Sequence, residues 1–127
     1  MEFGITFDCA DAPRLARFRA GALGYVEAPP PEGWDTWEQF LIDHEVPAEE
    51  WADSAAIAPP NGEGPRISFL RVPEPKTVKN RVHLDLKVSG GRHLAQPLRE
   101  GRIRGRVAEL VVEGAAILSE EWADGHL

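Results

Sequence analysis

A histidine and an aspartate stand two residues apart in a stretch where apolar and polar residues alternate. His83 and Asp85 are out of phase with the apolar positions of 82–88, so a strand would place both side chains on one face. An imidazole there could contact a ligand or hold a metal ion, and the carboxylate could orient the ring. A purely structural hydrogen-bonded pair is the other interpretation of this spacing.

Aromatic residues are concentrated in one segment of the chain. Four tryptophans occur in 127 residues, and Trp34, Trp37 and Trp51 all fall within 34–53. Helical spacing would place Trp34 and Trp37 on the same side of a short helix. These rings could anchor the segment to the rest of the protein, or they could form an aromatic wall for a planar or apolar ligand.

The N-terminal residues predict a strand followed by an amphipathic helix. Apolar and polar residues alternate over 3–9, which is typical of a strand with one buried face. Asp11 can cap the helix that follows, and Gly24 can end it. Asp8 lies near the end of the strand, where it could be an acid of a ligand site or could hold the following turn.

The middle of the chain predicts an inserted flap and a hairpin. Three prolines and a glycine at 29–33 exclude a continued regular element, and 34–53 then predicts short helical turns. Two short strands, at 55–58 and 66–72, are joined across Asn61-Gly62-Glu63-Gly64. Residues that tolerate positive φ favour a tight turn there, so a hairpin is expected.

The second half repeats the order strand, helix, strand. The alternation over 82–88 predicts a strand, an apolar helical face precedes Gly114, and 116–119 predicts a further strand. Aligning Gly4 with His83 gives an offset of about 79 residues, which indicates a degenerate internal duplication.

A turn signal stands very near the end of the sequence. Asp124-Gly125 is typical of a hairpin, yet only two residues follow it. We expect either that further strands follow Leu127 in the natural protein or that another subunit covers the exposed sheet edge.

Composition excludes several classes of function. The 14 Lys+Arg and 21 Asp+Glu give a formal net charge of −7, which repels a phosphate backbone and disfavours a nucleic-acid partner. Cys9 is the only cysteine, so it cannot form an intrachain disulfide, and it lacks a basic neighbour in the sequence that would make it a nucleophile. No apolar run approaches the roughly 18 residues of a membrane span, and the first residues lack signal-peptide features. We therefore expect a cytoplasmic protein with no membrane partner.

Several motifs carry a family resemblance. They are Phe7-Asp8-Cys9-Ala10-Asp11, Leu15-Ala16-Arg17-Phe18, Ala22-Leu23-Gly24-Tyr25, Gly64-Pro65-Arg66, Val72-Pro73-Glu74-Pro75-Lys76, and Lys79-Asn80-Arg81-Val82-His83-Leu84-Asp85-Leu86. In this order they resemble the glyoxalase-like branch of the vicinal oxygen chelate superfamily. The resemblance implies an α+β fold of tandem βαβββ modules whose curved sheets enclose a cup. We expect one domain over 1–127, with module one at about 1–75, a helical insert at about 33–54, and module two at about 79–127, lacking its last strands.

The resemblance also implies where a metal would be held. In metal-using relatives four side chains, usually His, Gln or Glu, project into the cup from the first and last strands of each module, and such a site needs at least three protein ligands. The matching positions are Gly4 or Thr6, then Leu70, then His83, and a fourth that would follow Leu127. Only His83 matches as a ligand. We expect a degenerate metal site with no assigned cofactor, and a divalent metal is left as the open alternative.

The resemblance implies a small-molecule binding protein of the glyoxalase and bleomycin-resistance type, acting as a homodimer. The expected ligand-binding residues are Thr6, Asp8, Trp34, Trp37, Leu70, His83 and Asp85. A metal-dependent enzyme of the same superfamily, a lyase, isomerase or dioxygenase, is the second interpretation. A dimerising interaction module without a ligand is the third.

Overall fold

The computed structural model describes residues 1–121. The chain forms two compact units, Met1–Lys79 and a second unit that begins at Asn80. Among the helices in the described range, none has the length and apolar character that crossing a bilayer demands.

The first unit is a mixed four-stranded sheet with one long helix and two short ones. In chain order its elements are β1 (Gly4–Cys9), α1 (Ala12–Leu23), β2 (Val26–Glu27), α2 (Trp37–Asp43), a 3-10 helix (Ala48–Asp53), β3 (Ser54–Ala58) and β4 (Arg66–Arg71). The strand order is β1-β4-β3-β2. β1 and β4 are parallel, and the other two pairings are antiparallel. The α+β class and the first strand, the helix and the hairpin predicted from the sequence are confirmed.

The register of β1 against β4 gives the sheet two different faces. Six residue pairs run from Gly4 opposite Arg66 to Cys9 opposite Arg71, and alternate residues point to opposite faces. One face packs on α1 and forms the core. Its buried members are Ala12, Ala16, Ile57, Ile67 and Phe69. The two alanines of α1 are small enough to let the helix lie close to the sheet.

Both ends of α1 have the signals that the sequence predicted. The Asp11 carboxylate accepts a hydrogen bond of 3.1 Å from the Arg14 backbone N–H, and Pro13 occupies the first turn, where its missing N–H costs nothing. Gly24 has φ 71° and its N–H donates to the Ala20 carbonyl. A left-handed residue at this position favours glycine.

β2 and the hairpin complete the sheet. β2 has only two residues, Val26 opposite Ala58 and Glu27 opposite Ile57, which is too short to produce a periodic pattern in the sequence. The hairpin between β3 and β4 turns through Gly62 and Gly64, both at positive φ.

The second unit differs from the sequence-based expectation. Its helix α3 (Gln96–Val112) forms and ends two residues before Gly114, but the predicted strands at 82–88 and 116–119 are wrong, because residues 80–121 form no strand. The alternation persists in the burial of 82–88, where the apolar side chains after Val82 are half-buried and the polar ones exposed. A strand also requires a hydrogen-bonded partner, and the described part of the chain supplies none. The tandem module arrangement stays a prediction, and Trp122 and Asp124-Gly125 lie outside the described residues.

The core predicts which aromatic residue carries stability. Phe69 is fully buried and stacks on Phe7 with ring centroids 5.8 Å apart, whereas Phe3 is 65% exposed. We expect Phe69→Ala to lower the free energy of unfolding by about 3–5 kcal/mol, and Phe3→Ala by less than about 0.5 kcal/mol. Urea unfolding followed by circular dichroism measures both. Equal losses in the two variants would contradict this assignment of the core.

Candidate functional site

The sheet face opposite α1 is the polar face of the first unit. Thr6 lies beside Ser68, and Asp8 lies beside Leu70, because residues paired across parallel strands point the same way. β3 adds Ser54 opposite Leu70 and Ala56 opposite Ser68. This face carries hydroxyl groups and small side chains where the other face carries the core.

The segment that the sequence predicted as a flap covers part of this face. Thr36 caps α2 by accepting a hydrogen bond from the Gln39 N–H. The indole N–H of Trp37 donates to the Ala28 carbonyl at 2.7 Å, and that of Trp51 donates to the Val46 carbonyl at 2.9 Å. Both rings are therefore held by their polar edges, which leaves their faces free to pack.

A cavity of about 460 Å³ lies between the flap and the sheet. The flap contributes Trp37, Phe40, Leu41 and Trp51, the sheet contributes Glu27, Ser54, Ala55, Ala56, Arg66, Ser68 and Leu70, and Pro13 contributes from the start of α1. Its volume lies within the usual range for small-molecule sites, about 300–1,000 Å³. An aromatic wall that faces a floor of small and polar residues can enclose a flat, apolar ligand and contact its polar groups.

One charged side chain of the floor reaches the aromatic wall. The guanidinium carbon of Arg66 lies 5.7 Å from the centroid of the Trp37 ring, over its face. Such a contact fixes a cation in place without using its N–H groups.

Two of the predicted ligand residues line this cavity, Trp37 and Leu70. Thr6 and Asp8 are exposed on the same sheet face but do not line it. Trp34 also does not line it, since its indole N–H donates to the Asp43 carboxylate at 2.9 Å and its ring packs edge-on against Phe40. The prediction that Trp34 and Trp37 lie on the same side of a short helix is wrong, because α2 begins only at Trp37 and helical spacing therefore does not relate the two residues.

The other predicted residues belong to the second unit. His83 and Asp85 are both exposed. Within the described residues no group of three or more His, Cys, Asp or Glu side chains could hold a metal ion. In the first unit, Thr6 offers only a hydroxyl and Leu70 has no donor atom, so the residues at the positions implied by the resemblance do not fit a metal of the kind that metal-using relatives hold.

Sequence reasoning missed several lining residues, above all Arg66 and Ser68. The signal was available, because Leu70 was among the predicted site residues and period-two alternation along one strand places Arg66 and Ser68 on its face. Trp51 was recognised as a flap residue but was not assigned to the site. Its role becomes evident only when the 3-10 helix is placed over the sheet.

A larger apolar groove lies in the second unit, with a volume of about 760 Å³. It is lined by the apolar face of α3, including Ile103, Val107 and Leu110, and by the segment 115–121. Its arginine, Arg104, forms ion pairs with Glu100 at 3.0 Å and Glu120 at 3.4 Å. A groove of this kind is what an amphipathic helix presents when its apolar face has little to pack against. The flap cavity, with aromatic walls and convergent polar groups, is the stronger candidate site.

Cys9 is not equipped as a nucleophile. Burial raises the pKa of its thiol, the carboxylates of Asp11 and Asp8 raise it further, and a backbone hydrogen bond at Asp11 opposes them. The thiol lies 3.5 Å from the Leu70 carbonyl, to which it donates. A thiol kept protonated at neutral pH reacts slowly with electrophiles.

The raised pKa predicts the pH dependence of Cys9 alkylation. At about pH 8, the folded protein should react with iodoacetamide more slowly than the urea-unfolded chain, because a higher pKa means less thiolate at each pH below it. The alkylation rate of the folded protein should continue to increase as the pH is raised past 9.0, the ordinary pKa of the thiol. Asp8→Asn should speed the reaction, whereas Glu2→Gln should leave it unchanged. Intact-mass spectrometry measures the modified fraction, and equal rates in folded and unfolded protein would contradict the shift.

Comparison with known proteins agrees with the motifs in the sequence. A family model described as the glyoxalase-like domain matches residues 4–126. Neither curated proteins nor solved structures gave a match. The matched range includes every element of the first unit and α3. The chain therefore belongs to the glyoxalase-like domain family of the vicinal oxygen chelate superfamily.

Proposed function

We propose that this protein binds a small, planar and largely apolar molecule in the flap cavity. The observation that carries this proposal is the cavity itself, about 460 Å³ between an aromatic wall and a sheet floor with two serines. Membership of the glyoxalase-like family supports small-molecule binding in general. Sequestration of a toxic or signalling compound is the biological role that such a site would serve.

The rigidity of the wall supports binding. The indole N–H groups of Trp37 and Trp51 each donate to a backbone carbonyl, so the two rings are oriented before a ligand binds. Preorganised aromatic surfaces lose little side-chain entropy on binding. Phe40 adds to the same wall and packs edge-on against Trp37 with ring centroids 5.7 Å apart.

We further propose that this binding needs no resident metal. The support is the chemistry of Gly4 or Thr6 and of Leu70, the first-unit residues at the positions where the resemblance implies metal ligands. The enzyme alternative, a lyase, isomerase or dioxygenase that requires a divalent metal, would need ligands other than these, with His83 among them.

A homodimer is the assembly we propose. β1 and β2 are the two edges of the sheet in the first unit, and unpaired edges recruit further strands or are covered by a partner. In α3 and the segment after it, several apolar side chains are largely exposed, including Val112 at 84% and Leu118 at 94%. A second copy of the chain would remove such surface from water.

Filling the cavity tests the location of the site. Ala56→Phe places a ring on the cavity floor, whereas Thr6→Phe places the same ring on the same sheet face outside the cavity. With the neutral fluorescent probe N-phenyl-1-naphthylamine, we expect Ala56→Phe to weaken binding about tenfold or more, since the volume is taken, and Thr6→Phe to change it less than about twofold. Titration of probe fluorescence gives both dissociation constants.

The reverse result would move the site. Stronger loss in Thr6→Phe than in Ala56→Phe would place the ligand over the open part of the sheet, near Thr6 and Asp8. Equal circular dichroism spectra and unfolding midpoints for the two variants are the control for folding.

Native mass spectrometry of protein purified without chelator tests metal content and assembly in one measurement. We expect a dimer without a divalent metal, because the first unit offers no suitable ligand set and, within the described residues, no strand pairs with the outer edges of β1 and β2. One metal per chain that is lost in His83→Ala, but kept in the matched surface variant His93→Ala, would contradict the proposal and favour the enzyme alternative.

A further inference from the structure

We propose that the ligand of the flap cavity carries a negatively charged group, a carboxylate or another oxyanion, and that Arg66 binds this group. This inference depends on the proposed function of the cavity and extends it by assigning the charge and polarity of the ligand.

The position of Arg66 follows from the register of β4. Arg66 is the first residue of β4, and it shares the cavity face with Ser68 and Leu70 because residues two apart point the same way. Its guanidinium lies over the face of Trp37 at 5.7 Å. The cation is therefore held at the junction of the floor and the aromatic wall, where the polar end of a planar ligand would lie.

The donors of Arg66 are available for a ligand. Within residues 1–121, Arg66 takes part in none of the ion pairs. Arg71, at the other end of the same strand, pairs instead with Asp53 at 3.5 Å. A guanidinium that stacks on a ring keeps its N–H fork, and this fork matches the two oxygens of a carboxylate.

The surroundings of Arg66 strengthen its preference for an anion with an apolar body. Trp37, Phe40 and Trp51 form an apolar wall beside Arg66. The apolar body of a ligand can pack on this wall while its anionic group meets the guanidinium, which is itself exposed. The hydroxyls of Ser54 and Ser68 lie on the same sheet face and can donate to further oxygens of the same group.

Glu27 is the opposing charge in the cavity lining. It lies on β2 opposite Ile57, whose side chain belongs to the core face, so the two side chains of Glu27 and Arg66 lie on opposite faces of the sheet. Glu27 forms no ion pair with Arg66 within the described residues. From that face an exposed carboxylate repels an anion in the cavity only through the longer-range, solvent-screened field, so its effect is smaller than that of Arg66. Removing the charge of Glu27 should therefore act in the opposite direction to removing the charge of Arg66.

Two probes with one skeleton test the assignment. 1-Anilinonaphthalene-8-sulfonate and N-phenyl-1-naphthylamine differ by one anionic group. For each probe, only the part of the binding that is lost in Ala56→Phe is assigned to the cavity. Arg66→Gln should weaken binding of the anionic probe about tenfold and binding of the neutral probe less than about twofold. Glu27→Gln should strengthen the anionic probe alone. Raising the ionic strength should weaken the anionic probe in the wild-type protein more than in Arg66→Gln.

Arg71→Gln is the matched control, since it removes the same charge from the same strand outside the cavity. No change in that variant, together with the loss in Arg66→Gln, supports the inference. Equal losses in the two variants, or equal losses of both probes in Arg66→Gln, would overturn it while leaving the proposed function intact. If neither probe shows binding that Ala56→Phe removes, the proposed function fails, and the inference fails with it.

Discussion

The parallel pairing of β1 with β4 is the constraint on which the first unit depends. Six residue pairs in one register place Phe69 against α1 and, on the opposite face, Arg66 and Ser68 toward the flap. A slip of one residue would exchange these faces, burying a guanidinium and exposing a phenylalanine. The same hydrogen bonds therefore determine both the core and the candidate site, and the fully buried Phe69 fixes which face of β4 points toward α1.

The flap adds a second constraint, and it acts through the backbone. The Trp37 indole N–H donates to the Ala28 carbonyl, next to β2, and this bond ties the flap to the sheet. Trp51 donates to the Val46 carbonyl within the flap itself. Trp34 donates to the Asp43 carboxylate within the same segment. The segment thus divides its tryptophans by role, with one stabilising the flap itself and two shaping the cavity. This division explains why the sequence indicated an aromatic wall and identified Trp37, but assigned Trp34 to it and left out Trp51.

Local signals were sufficient to predict α1, the first strand and the hairpin, because Asp11, Gly24 and the glycine turn act through neighbours in the chain. The alternation over 82–88 predicted a strand with His83 and Asp85 on one face. The apolar side chains after Val82 are half-buried and the polar ones exposed, but the pattern carried no information on a hydrogen-bonded partner. Of the residues predicted for the site, Trp37 and Leu70 line the cavity. Trp34 does not, because its placement beside Trp37 assumed helical spacing and α2 begins only at Trp37. Arg66 could have been found from strand parity, but its contact with Trp37 depends on tertiary placement of the flap.

Family membership fixes less about function than the cavity does. A glyoxalase-like sheet is a scaffold, and unrelated ligands can occupy related scaffolds, so the ligand must be inferred from the residues that line the site. Here those residues combine a rigid aromatic wall, a floor of small side chains and one arginine with no carboxylate partner in the described chain. An apolar wall alone discriminates poorly among flat molecules, because the hydrophobic effect is non-directional. A fixed cation supplies the direction, because its interaction with the ligand is favourable only when the anionic end of the ligand points toward β4. Selectivity in this protein would then come from orientation against Arg66, and affinity from the tryptophans.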